Sequence, residues 1–474
     1  MRIEAALILA LAIVLGGFLR FVHLGVAELT GDEVNSWVTA SAPSLAGVIQ
    51  AHQQVNPGTL ALHDLLLHMW ILMFGGGETA LRSLSALFGV AAIALVFFVT
   101  YELLMLPASI GDAREADGST AQTVAAFSAL ITAMSLLMIN SSREARMYPV
   151  MLAMVMAQAG FFLRAMRRGG WLDFAAIAVF TALTVAANFT AAFVFAAEGV
   201  WFGWRLIAEW RNGRGLDARA WRAAFGVLAG LAILAPFASI IASQLGRGMT
   251  RGTWTWIVPP KAIDPIQTFE SASGGWVFAL LAALAVWGVF TRWRQRREQI
   301  VFALIVMWLP PLAQLAISYL FVPMDVTRYV LPSFIAFYIL AALGIAALRS
   351  VQARGVAAAL LALAMLAHIY RYDSKPRDRA FREAVALAIK VAPGPTPIGV
   401  VSWDGSNRSA FYYAPADRRA DLVRLPEGGE LTPAAAQIQT VILPTYMRPD
   451  ELARYRTLFP RVEGTFRMVE VRSR

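Results

Sequence analysis

Two adjacent carboxylates, Asp32 and Glu33, follow directly on an apolar segment that begins at residue 3. A carboxylate within hydrogen-bond reach of a hydroxyl can take its proton, so this pair could perform general-base chemistry. Alternatively, the pair could stabilise the start of a helix, because acidic side chains favour its positive end and cap its free backbone N–H groups. The stretch GDEVNSW (31–37) leaves both interpretations open.

Arginines and aromatic residues form a second set of residues that could take part in chemistry. They lie in three polar stretches between apolar segments. A guanidinium group offers phosphate a planar fork of donors, and apolar neighbours can hold a lipid tail. Together with the acids, the set suits a substrate with a phosphate head and an apolar tail. The structural alternative is that the arginines snorkel to lipid headgroups and the tryptophans anchor at the interface. The residues concerned are Arg143, Arg146 and Tyr148 in 140–149, Arg251, Trp254 and Lys261 in 244–261, and Arg328 and Tyr329 in 323–332.

The composition indicates a membrane protein. Of 474 residues, 58% are hydrophobic and 15% charged, and the mean hydropathy is +0.58. A soluble core cannot absorb that much apolar surface, whereas bilayer-spanning helices can. Residues 3–24 precede acids rather than a small-residue cleavage site, so they are interpreted as a retained first helix. The absence of cysteine excludes disulfides and thiolate metal sites.

About eleven segments have the length that a bilayer requires, which predicts an all-α polytopic membrane protein. Short arginine-rich loops between them mark the cytoplasmic side. The first outer loop (25–79), the later loops at 141–146, 243–273 and 322–327, and the chain after 372 then face outward. The predicted spans are 3–24, 80–106, 122–140, 147–165, 171–188, 190–206, 222–242, 274–291, 300–321, 328–348 and 355–371.

One further apolar stretch, residues 58–75, is interpreted as a helix that does not span the membrane. It is short and carries His63, Asp64 and His68, each costly at membrane depth. A crossing here would also reverse every arginine-rich loop. His63 and His68 lie about 140° apart around a helix, so they do not form a two-histidine metal site.

Residue 373 marks a predicted domain boundary between a transmembrane domain (1–372) and a small outer α/β domain (373–474). The tail begins with an amphipathic helical pattern and continues with strand-like runs separated by turns. The runs are PIGVVSW, TVILPTYM and FRMVEV.

Other function classes find little support in the sequence. A phosphate-loop motif is absent, which leaves ATP-driven work unsupported, and no Asp-x-Asp pair exists to hold a nucleotide sugar through a metal. No cofactor is predicted, and no ligand set for a divalent metal is evident. The scattered arginines do not form the continuous basic face that nucleic acids require. Glu198, in the middle of a predicted span, requires a partner or a function.

Four motifs occur in an order that resembles a known family. They are GDEVNSW (31–37), FGGGETALRSLSALFG (74–89), SREARMYPV (142–150) and TRYVLPSF (327–334). This order, with the predicted topology and outer tail, resembles bacterial glycosyltransferase family 39 of the GT-C superfamily. Relatives of that family include the protein O-mannosyltransferases and the lipid A aminoarabinose transferases. One departure is Asn56-Pro57-Gly58, where many relatives have a Pro-Pro pair.

The resemblance implies an enzyme that moves a sugar from a polyprenyl-phosphate carrier of the undecaprenyl type to an envelope glycan, lipid or protein. It implies the bacterial inner (plasma) membrane, with the active site and the C-terminal domain facing the periplasm. By position, Asp32 matches the catalytic acid and Glu33 its neighbour at the acceptor site. Arg328 and Tyr329 match the late motif near the carrier phosphate. Arg146 and Tyr148 match the second-loop motif.

The chemistry of such a transfer assigns roles to the same residues. Asp32 would take the proton of the acceptor hydroxyl, and a single displacement would invert the anomeric centre. Arg328 would stabilise the leaving phosphate, with Arg146 and Arg251 as alternates. Two other functions stay open: a transporter or flippase of a lipid-linked saccharide, for which only Glu198 is a mid-span candidate, and a non-enzymatic envelope scaffold that uses the outer tail.

Overall fold

The computed structural model describes residues 1–56, 59–106, 117–213, 215, 217–248, 250, 260–324, 326–374, 380–401, 406–426, 437–466 and 468–474. The chain divides into two compact units. The first contains residues 1–22, 48–66 and 82–374, and the second contains residues 23–47, 67–81 and 375–474. The second unit therefore includes two segments of the predicted first outer loop besides the C-terminal tail.

Helices dominate the described residues, and five short strands occur near the C-terminus. The helices are α1 Ile3–Phe21, α2 Gly31–Ala40, α3 Leu45–Val55, α4 Leu62–Phe74, α5 Glu78–Leu104, α6 Gly118–Met134, α7 Leu136–Ser142, α8 Tyr148–Arg168, α9 Trp171–Ala187, α10 Ala192–Arg211, α11 Ala218–Ile233, α12 Ala238–Gly248, α13 Asp264–Ser273, α14 Gly275–Leu320, α15 Leu331–Ala346, α16 Val351–Asp373, α17 Ala380–Val391, α18 Ser406–Tyr413 and α19 Pro449–Leu458. The strands are β1 Ile398–Val401, β2 Leu422–Leu425, β3 Thr440–Pro444, β4 Arg461–Phe466 and β5 Val469–Ser473.

The polytopic helical architecture is confirmed, but the number of candidate spans differs from the prediction. Among the described residues, seven helices are long and apolar enough to cross a membrane, or nine if each of two bent helix pairs is one span. Eleven spans were predicted, and the difference arises from the length of α9 and from the way α14 is counted. Helix α9 has only 17 residues, and the two segments predicted at 274–291 and 300–321 are the two parts of α14, which count as one candidate span although the backbone at Arg296 between them is not helical. Residues 58–75 contain the 13-residue α4, which is too short to span.

Helix α15 forms the centre of the first unit, and each of its residues is buried. It packs closely against α14, because Gly288 and Gly344 lie at the contact. A Cβ atom at Gly344 would collide with the carbonyl oxygen of Leu284 on α14. Small residues allow backbones of membrane helices to approach in this way. The contact fixes the position of α15, which directly follows the 3-10 turn that carries Arg328.

The second unit contains a five-stranded mixed sheet, so the predicted small α/β domain is confirmed. The strand order is β2-β1-β3-β5-β4. Strand β1 pairs in parallel with β2 and β3, whereas β5 is antiparallel to β3 and β4. Strands β1, β3 and β5 are fully buried. Apolar residues of α17, including Val385, pack with the buried strand residues Val400 and Ile442 to form the core.

Candidate functional site

Arg328 lies at the centre of a cluster of predicted site residues in the first unit. It belongs to the 3-10 turn Thr327–Val330, directly before α15. Its guanidinium carbon lies 5.1 Å from the ring centroid of Tyr148, a cation–π distance. The rings of Tyr148 and Tyr329 pack with their centroids 6.1 Å apart. The structure therefore brings together three residues that were predicted from two separate stretches of sequence.

Two prolines determine where the helices that carry this cluster begin. Tyr148 is the first residue of α8 and Pro149 the second; Pro332 is likewise the second residue of α15. Proline suits the first turn of a helix, because its missing N–H would have no partner there and its φ angle is already helical. Tyr148 is almost completely buried, at 1% exposure. Packing on all sides therefore holds the Tyr148 ring in place beneath Arg328.

Arg328 also faces one acidic side chain, Glu144. Its Nη1 lies 3.8 Å from Oε2 of Glu144, and the two side chains are 27% and 35% exposed. An ion pair at this distance between partly exposed groups contributes little, about 0–1 kcal/mol.

Arg146, the second predicted phosphate ligand, is buried and connected to Asn56. Its Nη1 donates to Oδ1 of Asn56 at 3.5 Å, and its own carbonyl oxygen accepts from the Ser85 hydroxyl at 3.0 Å. The amide nitrogen of Asn56 donates to Oδ2 of Asp64 at 3.2 Å. Asp64 therefore orients the Asn56 amide so that its oxygen faces Arg146.

Asp64 bridges two histidines in a buried network that the sequence analysis did not predict. Its Oδ2 accepts from Nδ1 of His52 at 2.8 Å, and its Oδ1 accepts from Nδ1 of His63 at 3.0 Å. The Nε2 of His52 lies 3.1 Å from the carbonyl oxygen of Thr59. Because a carboxylate only accepts, the Nδ1 atoms of His52 and His63 both carry the hydrogen in these contacts, and the Thr59 hydroxyl lies 3.2 Å from Nε2 of His52.

The hydrogen bonds from the two histidines explain how Asp64 stays ionised while buried. Burial raises the pKa of Asp64, but the hydrogen bonds from His52 and His63 outweigh it and hold the pKa well below its ordinary value. The sequence did identify His63 and Asp64 as costly groups. It gave no sign of His52 as their partner, because that residue lies on a different helix.

Replacing Asp64 by alanine is expected to lower the free energy of unfolding by about 3–5 kcal/mol, because the N–H groups of His52, His63 and Asn56 would lose their buried acceptor, at about 1–3 kcal/mol for each unsatisfied group. Thermal unfolding in detergent micelles measures this. The exposed Glu4, changed to alanine, is the control and should alter stability by less than about 1 kcal/mol. Since its folded-state pKa is depressed, ionised Asp64 stabilises the fold at neutral pH, and this contribution is lost as the pH falls below 3.8. Equal unfolding of the two variants would contradict this account.

Arg143 has structural partners in the first unit, although it was predicted to bind substrate. Its guanidinium makes a bidentate pair with Asp373, with Nη1 2.8 Å from Oδ1 and Nη2 3.2 Å from Oδ2. Its Nε donates to the carbonyl oxygen of Leu19 at 3.0 Å. Arg143 therefore connects the chain after α7 to the ends of α1 and α16.

The remaining predicted residues of the first unit contribute less. Arg251 and Trp254 lie outside the described residues. Lys261 is exposed, and its backbone N–H donates to Oδ2 of Asp264 at 2.6 Å. Glu198 has a partner, as the sequence predicted that it should, because Nε2 of Gln158 donates to its Oε2 at 3.0 Å.

In the second unit, Glu33 forms the cap of α2. Its Oε2 accepts from the backbone N–H of Thr30 at 2.8 Å, and its own N–H donates to the Thr30 hydroxyl at 3.3 Å. This reciprocal pair is a capping box, which satisfies two N–H groups at the helix start. Asp32 lies in the same first turn and is half-buried. The two acids therefore differ: Glu33 has the structural role that the sequence analysis gave as an alternative.

Contacts from α18 and α17 fix the segment that carries Asp32. Trp37 of α2 packs edge-on against Tyr412, with ring centroids 4.9 Å apart. The Tyr413 hydroxyl donates to Oε1 of Glu78 at 2.6 Å and accepts from the backbone N–H of Leu29 at 2.8 Å. Burial, together with the bond to Glu78, raises the pKa of Tyr413. Arg382 pairs with the same carboxylate.

The role of Glu78 as the centre of these contacts was not predicted. The available signal was its place in the second motif, FGGGETALRSLSALFG, together with the FYY run that contains Tyr413. Spacing along the chain could not connect them, since the two residues lie 335 positions apart.

Comparison with known proteins gives a result at the level of the fold. No protein-family model matches the sequence, and no curated protein matches it. The solved structure of ArnT from Cupriavidus metallidurans in the apo state is similar, with a TM-score of 0.64 and 13% identity over 99% of this chain and 97% of that chain. The same protein bound to undecaprenyl phosphate gives a TM-score of 0.61.

A second structural relative is the arabinofuranosyltransferase AftD from Mycobacteria. Its TM-score is 0.55 at 13% identity, and the match covers 100% of this chain but 40% of the AftD chain. At 13% identity, these structural similarities establish the fold alone. The chain has the GT-C fold shared by ArnT and AftD, as the order of its four motifs predicted.

Proposed function

We propose that the protein is an integral-membrane glycosyltransferase that moves a sugar from a polyprenyl-phosphate donor to an envelope acceptor. The observation that carries the proposal is the cluster of Arg328, Tyr148 and Tyr329 in a chain with the GT-C fold. One protein with this fold has been solved with undecaprenyl phosphate, which supports a donor of that type. The proposed location is the bacterial inner membrane, with the reaction at the periplasmic face, since short arginine-rich loops favour the cytoplasmic side.

The proposed reaction is a single displacement with inversion at the anomeric carbon. Asp32 takes the proton from the acceptor hydroxyl as its oxygen attacks the anomeric carbon. The bond between that carbon and the phosphate oxygen breaks, and its electron pair leaves with the phosphate. The products are a glycoside, a polyprenyl phosphate and a protonated Asp32, which returns its proton to water.

The leaving phosphate gains negative charge in this step, and Arg328 is proposed to stabilise it. Its guanidinium lies against the Tyr148 ring and is partly exposed, in a position where it can donate to a phosphate. Arg146, oriented through Asn56, is proposed as the second cation for the phosphate. Arg146 lies just before α8 and Arg328 just before α15, and both belong to the first unit.

The experiment that tests the proposal compares cells with and without the gene by mass spectrometry of their envelope lipids and glycans. Loss of the gene is expected to cause the polyprenyl-phosphate-linked sugar to accumulate and one glycosylated product to disappear. Identical profiles would contradict the proposal. Purified protein in liposomes then separates transfer from transport, since a transporter moves the lipid-linked sugar without consuming it.

Glu33→Gln tests whether the second acid acts on the acceptor. Glutamine can form the same capping box, so the variant should fold like the wild type. Its loss of activity should be well below the roughly 10²-fold loss that is typical when a general base is removed. Glu33→Ala removes the cap and should lower the free energy of unfolding by about 1 kcal/mol. A 10²-fold or larger loss in Glu33→Gln would instead assign its charge to the acceptor site.

A further inference from the structure

An apolar groove runs along α14 in the first unit. It lies between the two parts of α14 on either side of the kink at Arg296, beside α13 and α15, and encloses about 1020 Å³. This volume is at the upper end of the range for small-molecule sites, roughly 300–1,000 Å³. Its walls include Phe269, Val289, Met307, Trp308 and Leu340. Such a groove suits hydrocarbon chains.

One end of the groove is polar and positively charged. Thr291, Arg294 and Gln295 line it there, close to the kink. The neighbouring arginines have partners: Arg292 donates to Oε1 of Gln295 at 3.0 Å, and Arg296 donates to the carbonyl oxygen of Leu104 at 2.6 Å. Arg294 is exposed and forms no ion pair with any residue that the structure describes. Its charge is therefore available to a ligand in the groove.

The charged end of the groove and the Arg328 cluster lie at opposite ends of α15. Arg328 directly precedes this helix, whereas Arg292 donates to the carbonyl oxygen of Ala346, its last residue, at 3.5 Å. The segment Thr327–Ala346 has 20 residues. At a rise of 1.5 Å per residue it is about 30 Å long, the thickness of the hydrocarbon core of a bilayer. A single phosphate group cannot reach both ends.

We infer that this groove binds an anionic phospholipid, with its acyl chains between the two parts of α14 and its phosphate at Arg294. Its phosphate would lie at the end of α15 opposite Arg328, which distinguishes it from the proposed sugar donor, whose phosphate is proposed to lie at Arg328. Arginine-rich loops place the kink of α14 on the cytoplasmic side, where anionic lipids are enriched and basic pockets between membrane helices bind their headgroups. A zwitterionic lipid such as phosphatidylcholine also brings a phosphate, but its choline cation offsets that charge, so it gains less from the Arg294 guanidinium than an anionic lipid does.

Native mass spectrometry of the protein from nanodiscs of mixed phosphatidylglycerol and phosphatidylcholine tests this inference. The wild type is expected to retain phosphatidylglycerol preferentially. Arg294→Gln should lower that preference about fivefold, since one arginine near a charged surface contributes about 1 kcal/mol. Ala282→Phe, which places a ring in the groove, should lower retention of both lipids. Arg349→Gln is the matched control, because Arg349 is exposed near the same end of α15 but does not line the groove.

Three results would overturn the inference. The first is equal retention of the two lipids by the wild type. The second is an unchanged preference in Arg294→Gln. The third is a result with undecaprenyl phosphate added as a competitor. If Arg294→Gln lowers the retention of this lipid, the groove holds the carrier instead. Sugar transfer by Arg294→Gln should match the wild type, so this test is independent of the proposed function.

Discussion

Asp32→Asn is expected to reduce sugar transfer by about 10²–10⁴-fold, because the acceptor hydroxyl loses the base that takes its proton. Asparagine has nearly the same shape and suits the first turn of a helix, so α2 and its capping box should remain. The measurement is the initial rate of glycoside formation by the purified protein in liposomes that contain a polyprenyl-phosphate-linked sugar. Its unfolding temperature should match that of the wild type.

A further control separates loss of chemistry from loss of binding. If Asp32 acts only as a base, Asp32→Asn should lower kcat while the KM for the lipid donor stays near that of the wild type. A variant that transfers sugar at the wild-type rate would remove Asp32 from the mechanism.

Arg328→Gln is the second substitution with a large expected effect. Removing a fixed donor aimed at developing charge typically raises a barrier by about 3–4 kcal/mol, which predicts a loss of roughly 10²–10³-fold in kcat. Arg328→Lys should recover only part of the loss, because an ammonium group lacks the planar fork and stacks poorly on the Tyr148 ring. Rates in the same liposome assay measure both variants.

The control for Arg328 is Arg371→Gln, which removes an exposed arginine at the end of α16. It should leave the rate unchanged. A loss in Arg328→Gln that appears only as weaker donor binding, with kcat intact, would contradict the role in the transition state. It would assign Arg328 to binding of the donor in its ground state.

The sequence predicted the main architecture because bilayer spans and buried strands are strong local signals. Long apolar runs predicted the helices of the first unit, and β1 and β3 were predicted from runs in which every residue is buried. Strands β2 and β4 were not predicted, since LVRL and RVEGTF are partly exposed and carry charges. The break between the segments predicted at 274–291 and 300–321 matches Arg296, where φ and ψ are not helical and α14 divides into two parts.

The candidate site was less predictable from the sequence than the fold. The cluster at Arg328 followed from residues that each lie in a motif, and Pro149 and Pro332 mark the helix starts that bring them together. Partners that are distant in sequence were not predictable. Arg143 was expected to bind substrate, but Asp373, 230 residues later, occupies its guanidinium. The link from Asp64 to Arg146 passes through Asn56, which no spacing rule identifies.

The most direct test of the central claim measures how Asp32 and Arg328 act together on one donor. Purified wild type, Asp32→Asn, Arg328→Gln and the double variant are each given a radiolabelled polyprenyl-phosphate sugar and envelope acceptor. The polyprenyl phosphate released and the glycoside formed are then counted. We predict one released phosphate for each glycoside in the wild type, and a double variant little slower than the slower single one, because both residues serve one step. Donor left unconsumed by the wild type, or full turnover by either single variant, would contradict the account.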